Sequence, residues 1–310
     1  MKKQLPKIKV VGIGGSGGNA VTRMMSCDIK GIELIAINAD YQDLEKAEAD
    51  KKIRIGKELT EGLGTGMNPE IGKKAARESR KVIKNNLEGS DMIFLTCGLG
   101  GGTGSGALPI ISEIAKETGA LTIAVVTMPF SFEGRERQKV AEEALEEVRG
   151  KVDTLIPIAN DKLLTTLDSN VTLKDAFWHC DEILRQAVQG ISDLIVLPGI
   201  IGIDFADVKA VMKNSGSALF GKGIAKGKRR GEEAANRALD LPLVDLSCEN
   251  AKGVLFNVGG GKDLSLAEIN DIAEVIKKRV SPDAQVIFGA VEDDSLNKGE
   301  IKVTVIATGF

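Results

Sequence analysis

The sequence predicts an α/β protein: a parallel sheet with interleaved helices, then a long helix, then a smaller α+β domain. In the first half, short apolar runs alternate with segments of helical periodicity, which is typical of βαβ units. Each apolar run ends in Gly, Asn, Asp or Thr. Over residues 172–197 a stripe of apolar residues then recurs at steps of three and four, which predicts one continuous helix.

The first half contains five predicted strands. They cover residues 7–13, 32–37, 91–97, 121–130 and 154–160. Helices are predicted from the first glycine cluster through Met25, over residues 110–118, and from near Gly134. Ligands of parallel sheets bind at the carboxyl ends of the strands, and those ends are rich in glycine and polar residues here. The amino-terminal half is therefore predicted to be a ligand-binding domain.

The second half continues with a loop that enters a helix in IIGIDFADVKAVM. A basic cluster at residues 226–230 (Lys226, Lys228, Arg229 and Arg230) is predicted to be a solvated loop, with a lipid or partner contact as the alternative. The last elements are a strand at 253–258, a helix at 264–280, and strands at 284–291 and 300–308. Ser265 and Glu268 have the spacing of a capping box at the start of that helix.

These patterns divide the chain into four parts. They are a ligand-binding domain at 1–171, a central helix at 172–197, a loop with its following helix at 198–220, and an α+β domain at 221–310.

Composition excludes several classes of protein. The 310 residues include 41 Lys+Arg against 44 Asp+Glu, a net charge of −3, and only 4% are aromatic. A nucleic-acid binder usually has a basic excess or stacking aromatics, so none is expected here. No apolar run approaches the ~18 residues of a membrane span, so no membrane insertion is expected. Four dispersed cysteines without metal-ligand spacing are consistent with a reducing cytosol.

The 36 glycines cluster in loops that suit phosphate binding. Gly12–Gly17 matches G-x-G-x-x-G, and Asp40 ends the next strand where a ribose-binding acid would stand. Alone, this motif also fits a simple packing turn or an NAD-dependent oxidoreductase. A second loop, Gly98–Gly106, has six glycines in nine positions together with Thr103 and Ser105, and a third spans 62–68. Backbone N–H groups in such loops bind phosphate, so the pair predicts a di- or triphosphate held from both sides.

Several segments carry a family resemblance. GLGGGTGSGA is similar to the tubulin signature G-G-G-T-G-[ST]-G. Over essentially the whole chain and in family order, further segments resemble FtsZ, the bacterial and archaeal homologue of tubulin. They are GIGGSGGNAVTRM, NADYQDL, GLGTGMNPEIG, VTMPFSFEGRER, NDKLL, DAFWHCDEILRQAVQGI, PGIIGIDFADVKAVM and VTVIATGF.

The resemblance implies the tubulin/FtsZ fold, with a Rossmann-like parallel-sheet GTPase domain. It implies a GTPase that polymerises head-to-tail into protofilaments and forms the cytokinetic ring, in the cytoplasm at the division site. The implied cofactors are GTP or GDP, Mg²⁺ held mainly through phosphates and water, and K⁺. A GTP-binding filament protein with little or no GTPase activity is the alternative.

The resemblance also implies a set of nucleotide-binding residues. They are Gly14, Gly15, Asn19, Asp40, Gly66, Gly101, Gly102, Thr103, Gly104, Pro129, Glu133, Arg137, Asn160, Phe177 and Asp181. Asn19, Phe177 and Asp181 would hold guanine, because an aromatic ring stacks on a purine and a carboxylate accepts the N1 and N2 protons. Alternatively, Phe177 is a core residue, Asp181 an exposed helix charge, and Glu133 with Arg137 a surface ion pair.

Catalysis would require a second subunit. The resemblance implies that Asp204 and Asp207 act on the neighbouring subunit's GTP, although Asp204 also fits a helix cap. Where the family usually has N-x-D-F-A-D-V, this chain has Gly202 in place of the asparagine, which predicts slowed hydrolysis. Family chains also continue into a linker and a tail that binds membrane-anchoring partners. The given sequence ends at Phe310, before such a tail. Division-ring proteins are therefore expected as partners, but not through that tail.

Overall fold

The computed structural model describes residues 5–27, 29, 31–164, 170–196, 199–240, 248–293 and 296–310. It divides the chain into two compact units, Met1–Gln189 and Gly190–Phe310. The helix α9, Leu173–Val196, begins in the first unit and continues past its boundary. The predicted central helix thus begins one residue later than expected, and residue 197 lies outside the described residues.

A parallel sheet forms the centre of the first unit, with strand order β3-β2-β1-β4-β5-β6 among the described residues. Its strands are β1 (Ile8–Ile13), β2 (Ile32–Asn38), β3 (Lys51–Arg54), β4 (Met92–Gly98), β5 (Leu121–Met128) and β6 (Thr154–Ala159). Its helices are α1 (Gly14–Ser26), α2 (Tyr41–Lys46), α3 (Lys57–Thr60), α4 (Pro69–Glu78), α5 (Arg80–Leu87), α6 (Gly102–Glu117), α7 (Arg135–Val148) and α8 (Asn160–Leu164). Buried Ile, Val and Leu side chains of the strands pack on α4, α5, α6 and α7.

The second unit contains a mixed sheet of strand order β7-β10-β8-β9 among the described residues. Its strands are β7 (Gly216–Lys226), β8 (Gly253–Gly260), β9 (Gln285–Glu292) and β10 (Glu300–Thr308), and its helices are α10 (Phe205–Met212), α11 (Arg230–Asp240) and α12 (Leu266–Lys277). Strand β10 is antiparallel to β7 and β8, whereas β8 and β9 are parallel. The predicted capping box of α12 is confirmed, because the Ser265 hydroxyl accepts from the Glu268 N–H at 3.3 Å.

Helix α6 begins at Gly102, eight residues before the predicted start. Gly102, Gly104 and Gly106, which were predicted to lie in a loop, are helical, and α6 lies directly against α4. A Cβ atom on Gly106 would be 1.9 Å from the carbonyl oxygen of Pro69, and one on Gly72 would be 2.3 Å from that of Gly102. Glycine at these positions permits two helices to approach more closely than any other residue would.

The predicted solvated loop is confirmed for residues 227–229, which are exposed and connect β7 to α11, but it is wrong at both ends of the basic cluster. Lys226 ends β7, and Arg230 begins α11 with only 7% of its surface exposed. The Arg230 guanidinium contacts Glu268 at 2.6 Å and Asp263 at 2.8 Å. A buried guanidinium needs such carboxylates, because burial of an unpaired charge is costly.

We expect Arg230→Met to lower the free energy of unfolding by about 2 kcal/mol at pH 7, since both carboxylates lose their partner but keep contact with water. The Arg230 ion pair lowers the pKa of Glu268 to about 2. The stabilisation by this ion pair is therefore fully present at pH values above 4.5, the ordinary pKa of a glutamate, and it is lost as the pH falls through 2.

Urea unfolding at pH 7 and at pH 2 measures this effect. The matched control is Arg229→Met, because Arg229 is exposed and its ion pair with Glu232 lies at the surface. This variant is expected to leave stability unchanged. A loss for Arg230→Met that is equally large at both pH values would contradict the prediction.

Candidate nucleotide site

The carboxyl ends of β1, β2, β4 and β5 surround a cavity of about 350 Å³. The described residues that line it all belong to the first unit. In a parallel sheet this edge is the usual position of a ligand, because helices begin there and direct their N–H groups toward it.

Two helix starts meet at this cavity. Helix α1 begins at Gly14 and α6 at Gly102, and neither has an acidic residue in its first turn or a side chain that caps it. The two starts lie close together, since a Cβ atom on Gly14 would be 3.1 Å from the Gly104 nitrogen. Unpaired N–H groups and aligned helix dipoles at both starts favour an anion between them. The arrangement fits a chain of phosphates.

The loop at 62–68 forms a second wall of the cavity. Gly62, Gly64 and Gly66 have φ angles of 89°, 77° and 54°, in the left-handed region that favours glycine. The Thr65 hydroxyl lies 3.2 Å from the hydroxyl of Thr103 in α6. This loop therefore brings a hydroxyl to the start of α6.

Asp40 lies two residues after the end of β2 and caps α2, where one of its carboxylate oxygens accepts from the Asp43 N–H at 3.0 Å. Its other oxygen faces Gly64, since a Cβ atom there would be 3.3 Å from it. Carboxylate and hydroxyl oxygens are the ligand types that Mg²⁺ prefers.

Glu133 and Arg137 lie at the opposite side of the opening. The Glu133 carboxylate contacts the Arg137 guanidinium at 2.5 Å and accepts from the Phe130 N–H at 2.9 Å. The Glu133 side chain is only 10% exposed, so this is not an ordinary surface ion pair. It fixes a carboxylate and a guanidinium at the edge of the cavity.

Phe177 and Asp181 project into the cavity from one face of α9. Phe177 is 40% exposed and meets Phe130 edge-on at 5.6 Å, so it is not a core residue. Asp181 is not an exposed helix charge either, since burial raises the pKa of its carboxyl group to about 7 against the opposing charge of Arg23. Asn160 is 4% exposed, and its buried Oδ1 has no hydrogen-bond partner among the described residues. A buried acceptor without a partner is costly, and a ligand donor would satisfy it.

Fourteen of the fifteen predicted nucleotide-binding residues line this cavity. The exception is Asn19, which lines an adjoining pocket of about 110 Å³ with Gly14 and Gly15. Sequence reasoning did not single out Asn38, Asp43, Thr65, Thr127 or Cys180, which also line the cavity. Asn38 is the last residue of β2, and Thr127 is the last but one of β5. Their position at strand ends could have predicted a contact with a ligand, whereas no feature of the sequence indicated such a contact for Cys180.

Asp204 and Asp207 lie in the second unit at the start of α10. Asp204 occupies the capping position, and its N–H donates to the Asp207 carboxylate at 3.1 Å. Just before them, a Cβ atom on Gly202 would meet no atom of the described residues within 4 Å. A side chain at position 202 would therefore be accommodated.

We expect guanine nucleotides to bind about tenfold more weakly at pH 6 than at pH 8. A pKa of about 7 leaves most Asp181 carboxyl groups protonated at pH 6, and only the ionised form accepts both guanine protons. GDP titrations at the two pH values measure the effect. Asp181→Asn serves as the control and is expected to bind weakly at both. Equal affinities of the unaltered chain at pH 6 and pH 8 would exclude Asp181 as the guanine acceptor.

The sheet, the paired helix starts and the aromatic ring and carboxylate on α9 together define an α/β nucleotide-binding protein. The model of the tubulin/FtsZ GTPase domain matches residues 7–168, and that of the FtsZ C-terminal domain matches residues 216–310. The chain therefore belongs to the tubulin/FtsZ family and is a GTPase that binds GTP and GDP. The resemblance seen in the sequence is confirmed, and the NAD-dependent oxidoreductase is excluded.

Solved structures agree with this assignment. A dimer of M. jannaschii FtsZ is 46% identical, covers 99% of this chain and 89% of its own, and superposes with a TM-score of 0.94. A tryptophan-to-tyrosine mutant of the same protein is 47% identical, with coverage of 98% and 91% and a TM-score of 0.93. CetZ2 from Haloferax volcanii, in a GTPγS-bound protofilament, shares the fold at 20% identity, with coverage of 97% and 92% and a TM-score of 0.81. In the described residues, no helix combines the length and apolar character of a membrane span.

Proposed function

We propose that this GTPase polymerises head-to-tail into protofilaments and forms the cytokinetic ring of a dividing prokaryotic cell, in the cytoplasm at the division site. The observation that carries the proposal is the cavity at the strand ends, where fourteen residues expected to hold a guanine nucleotide lie together. It is supported by 46% identity to M. jannaschii FtsZ, which was solved as a dimer. Other division-ring proteins are proposed as further partners.

The proposed nucleotide extends across the cavity from α9 to the loop at 62–68. Phe177 stacks on guanine, and Asp181 accepts its N1 and N2 protons, with Asn160 and the neighbouring Asn19 as further polar contacts. The Glu133–Arg137 pair meets the ribose. The starts of α1 and α6 hold the phosphates through backbone N–H groups.

Hydrolysis is proposed to occur where two subunits meet. Phosphoryl transfer to water needs an oriented nucleophile and charge stabilisation more than covalent chemistry. Asp204 and Asp207 supply carboxylates from the next subunit, where they orient water on the neighbour's γ-phosphate. Such a head-to-tail contact uses different surfaces on the two copies, so it does not close and it builds filaments.

Mg²⁺ is proposed to be held mainly by phosphates and water. Among the described residues, no cluster of three or more His, Cys, Asp or Glu side chains could hold a metal alone. The oxygens of Asp40, Thr65 and Thr103 are suited to contact a hydrated Mg²⁺ beside the phosphates. When bound, the ion would neutralise charge that develops during transfer. K⁺ is proposed as a further cation.

Phosphate release from GTP, with Mg²⁺ and K⁺, at a series of protein concentrations tests this proposal when pelleting is measured on the same samples. Specific activity is expected to rise above a threshold concentration at which the protein also pellets. Activity that is independent of concentration, without pelleting, would contradict the shared site. Pelleting without phosphate release would contradict hydrolysis in the filament.

We expect Gly202→Asn to raise GTP turnover by up to about 10²-fold, because an amide beside Asp204 adds a hydrogen-bond donor that can position water or a cation. Position 202 has room for the side chain. Gly202→Ala provides the matched control, since it constrains the backbone similarly but adds no donor. Equal turnover of the asparagine variant and the unaltered chain would show that this position does not limit hydrolysis.

A further inference from the structure

A second concave surface of the first unit lies along β3, away from the nucleotide site. It encloses about 450 Å³. All four residues of β3 form one wall, and Ser79, Val82 and Asn86 of the α4–α5 region form part of the other. We call this surface the β3 groove. None of its residues contributes to the nucleotide cavity.

Strand β3 is the terminal strand of its sheet. Among the described residues it pairs with β2 alone. The Ile55 N–H bonds to the Asn38 carbonyl at 3.0 Å, and alternate residues of a strand direct their N–H and C=O groups to opposite edges. The backbone N–H and C=O groups of Lys51 and Ile53 therefore face β2, whereas those of Lys52 and Arg54 face outward. An edge with unpaired donors and acceptors is a template for another strand.

The groove is basic. Lys51, Lys52, Arg54 and Lys57 line it, against two acidic residues, Glu58 and Glu78. The Glu78 carboxylate already accepts two backbone N–H groups at 3.3 Å, so its charge is partly compensated. Lys51 is likewise compensated, by Glu33 at 2.6 Å. The excess of positive charge along the open edge therefore comes from Lys52, Arg54 and Lys57.

Two of the basic groups have capacity for a ligand. The Arg54 guanidinium donates one hydrogen bond, to the Lys57 carbonyl at 3.2 Å, while its buried Nε has no partner among the described residues. Lys57 itself is exposed at the start of α3. The exposed side chain of Val82, with 52% of its surface open to solvent, adds an apolar contact within the groove.

We propose that the β3 groove binds an extended acidic segment of a partner protein, which adds to the sheet as a strand beside β3. Backbone hydrogen bonds to Lys52 and Arg54 hold the segment, as in other strand-addition complexes. Its carboxylates pair with Lys52, Lys57 and Arg54. Lysines on an edge also repel a second basic edge, so the same charges disfavour pairing of β3 with β3 of another copy.

Fluorescence anisotropy with the full chain tests charge recognition. The probe is a fluorescein-labelled ten-residue peptide of alternating Glu and Val, at low salt. We expect it to bind, the corresponding Lys/Val peptide to fail, and the Lys52→Glu/Lys57→Glu double variant to bind the Glu/Val peptide about tenfold more weakly. Lys277→Glu, at an exposed lysine on α12, is the matched control and is expected to change nothing. Unaltered GTP turnover shows that the double variant is folded.

Backbone pairing is tested separately. Two Glu/Val peptides are N-methylated, one at every Glu and the other at every Val. Only one set of N–H groups faces β3, so one peptide is expected to lose binding and the other to retain it. An equal loss of affinity for the two N-methylated peptides would overturn strand addition.

Three other outcomes also overturn the proposal. The first is that the Glu/Val peptide does not bind at millimolar concentration. The second is that the Glu/Val and Lys/Val peptides bind equally well. The third is that the double variant binds the Glu/Val peptide with unchanged affinity. Altered pelleting of the double variant without peptide would instead assign the groove to a second copy of this chain.

Discussion

Asp207→Asn is expected to lower GTP turnover by about 10²-fold or more while nucleotide binding and pelleting persist. A positioned carboxylate that orients or deprotonates water contributes on this scale. The asparagine retains an oxygen that can accept from the Asp204 N–H, now 3.1 Å from the carboxylate, so the start of α10 is preserved. The loss would therefore reflect chemistry, not folding. Asp204→Asn is also expected to lower GTP turnover.

Turnover, GDP affinity and pelleting are measured on the same preparations. Asp271→Asn, at an exposed acid in α12, serves as the matched control and is expected to match the unaltered chain. A decrease of less than about threefold for Asp207→Asn would be inconsistent with a catalytic carboxylate. Loss of GDP binding in the same variant would place its effect on the pocket and contradict an action on the neighbouring subunit.

Gly106→Ala is expected to destabilise the first unit by about 3 kcal/mol, the upper part of the usual range for overpacking. The added Cβ atom would lie 1.9 Å from the Pro69 carbonyl oxygen and 2.8 Å from the Lys73 nitrogen. Both are backbone atoms of α4, so no side-chain rotation relieves the clash and the helix itself must move. Because α4 follows directly after the loop at 62–68, GTP affinity is expected to fall as well.

Urea unfolding followed by circular dichroism measures the change. Gly18→Ala is the matched control, since it makes the same substitution inside a helix where the new Cβ atom would be 3.6 Å from Ala47. Alanine is the better helix former, so this variant is expected to be at least as stable as the unaltered chain. A loss below about 1 kcal/mol for Gly106→Ala would show that α4 and α6 separate easily.

The elements that position the site were predictable because their signals are local. Buried strands of parallel sheets are continuous apolar runs, and β10 was predicted with its observed limits. The glycine clusters also predicted the position of the site from local sequence, because glycine is used where the backbone must approach a ligand or another segment. Residues far apart in sequence, such as Gly14 and Phe177, were assigned to one site only by the family resemblance.

The errors come from tertiary contacts that local pattern does not encode. Glycine is a poor helix former, so the run before Ile110 indicated a loop, although contact with α4 makes it helical. Arg230 is a surface residue by type, and only the distant Asp263 and Glu268 make its burial favourable. Strand β3 is too short and too charged to be recognised as a strand before its pairing with β2 is known.

The residues lining the nucleotide cavity run from Ile13 to Asp181, all before the second unit begins at Gly190. During synthesis, the ribosome therefore completes the binding pocket before it reaches Gly202 and the two aspartates after it. A nascent chain at that stage contains every described residue that lines the cavity, and neither of the carboxylates proposed to act on a neighbour's nucleotide. The residues proposed to bind the nucleotide are thus synthesised before those proposed to hydrolyse it.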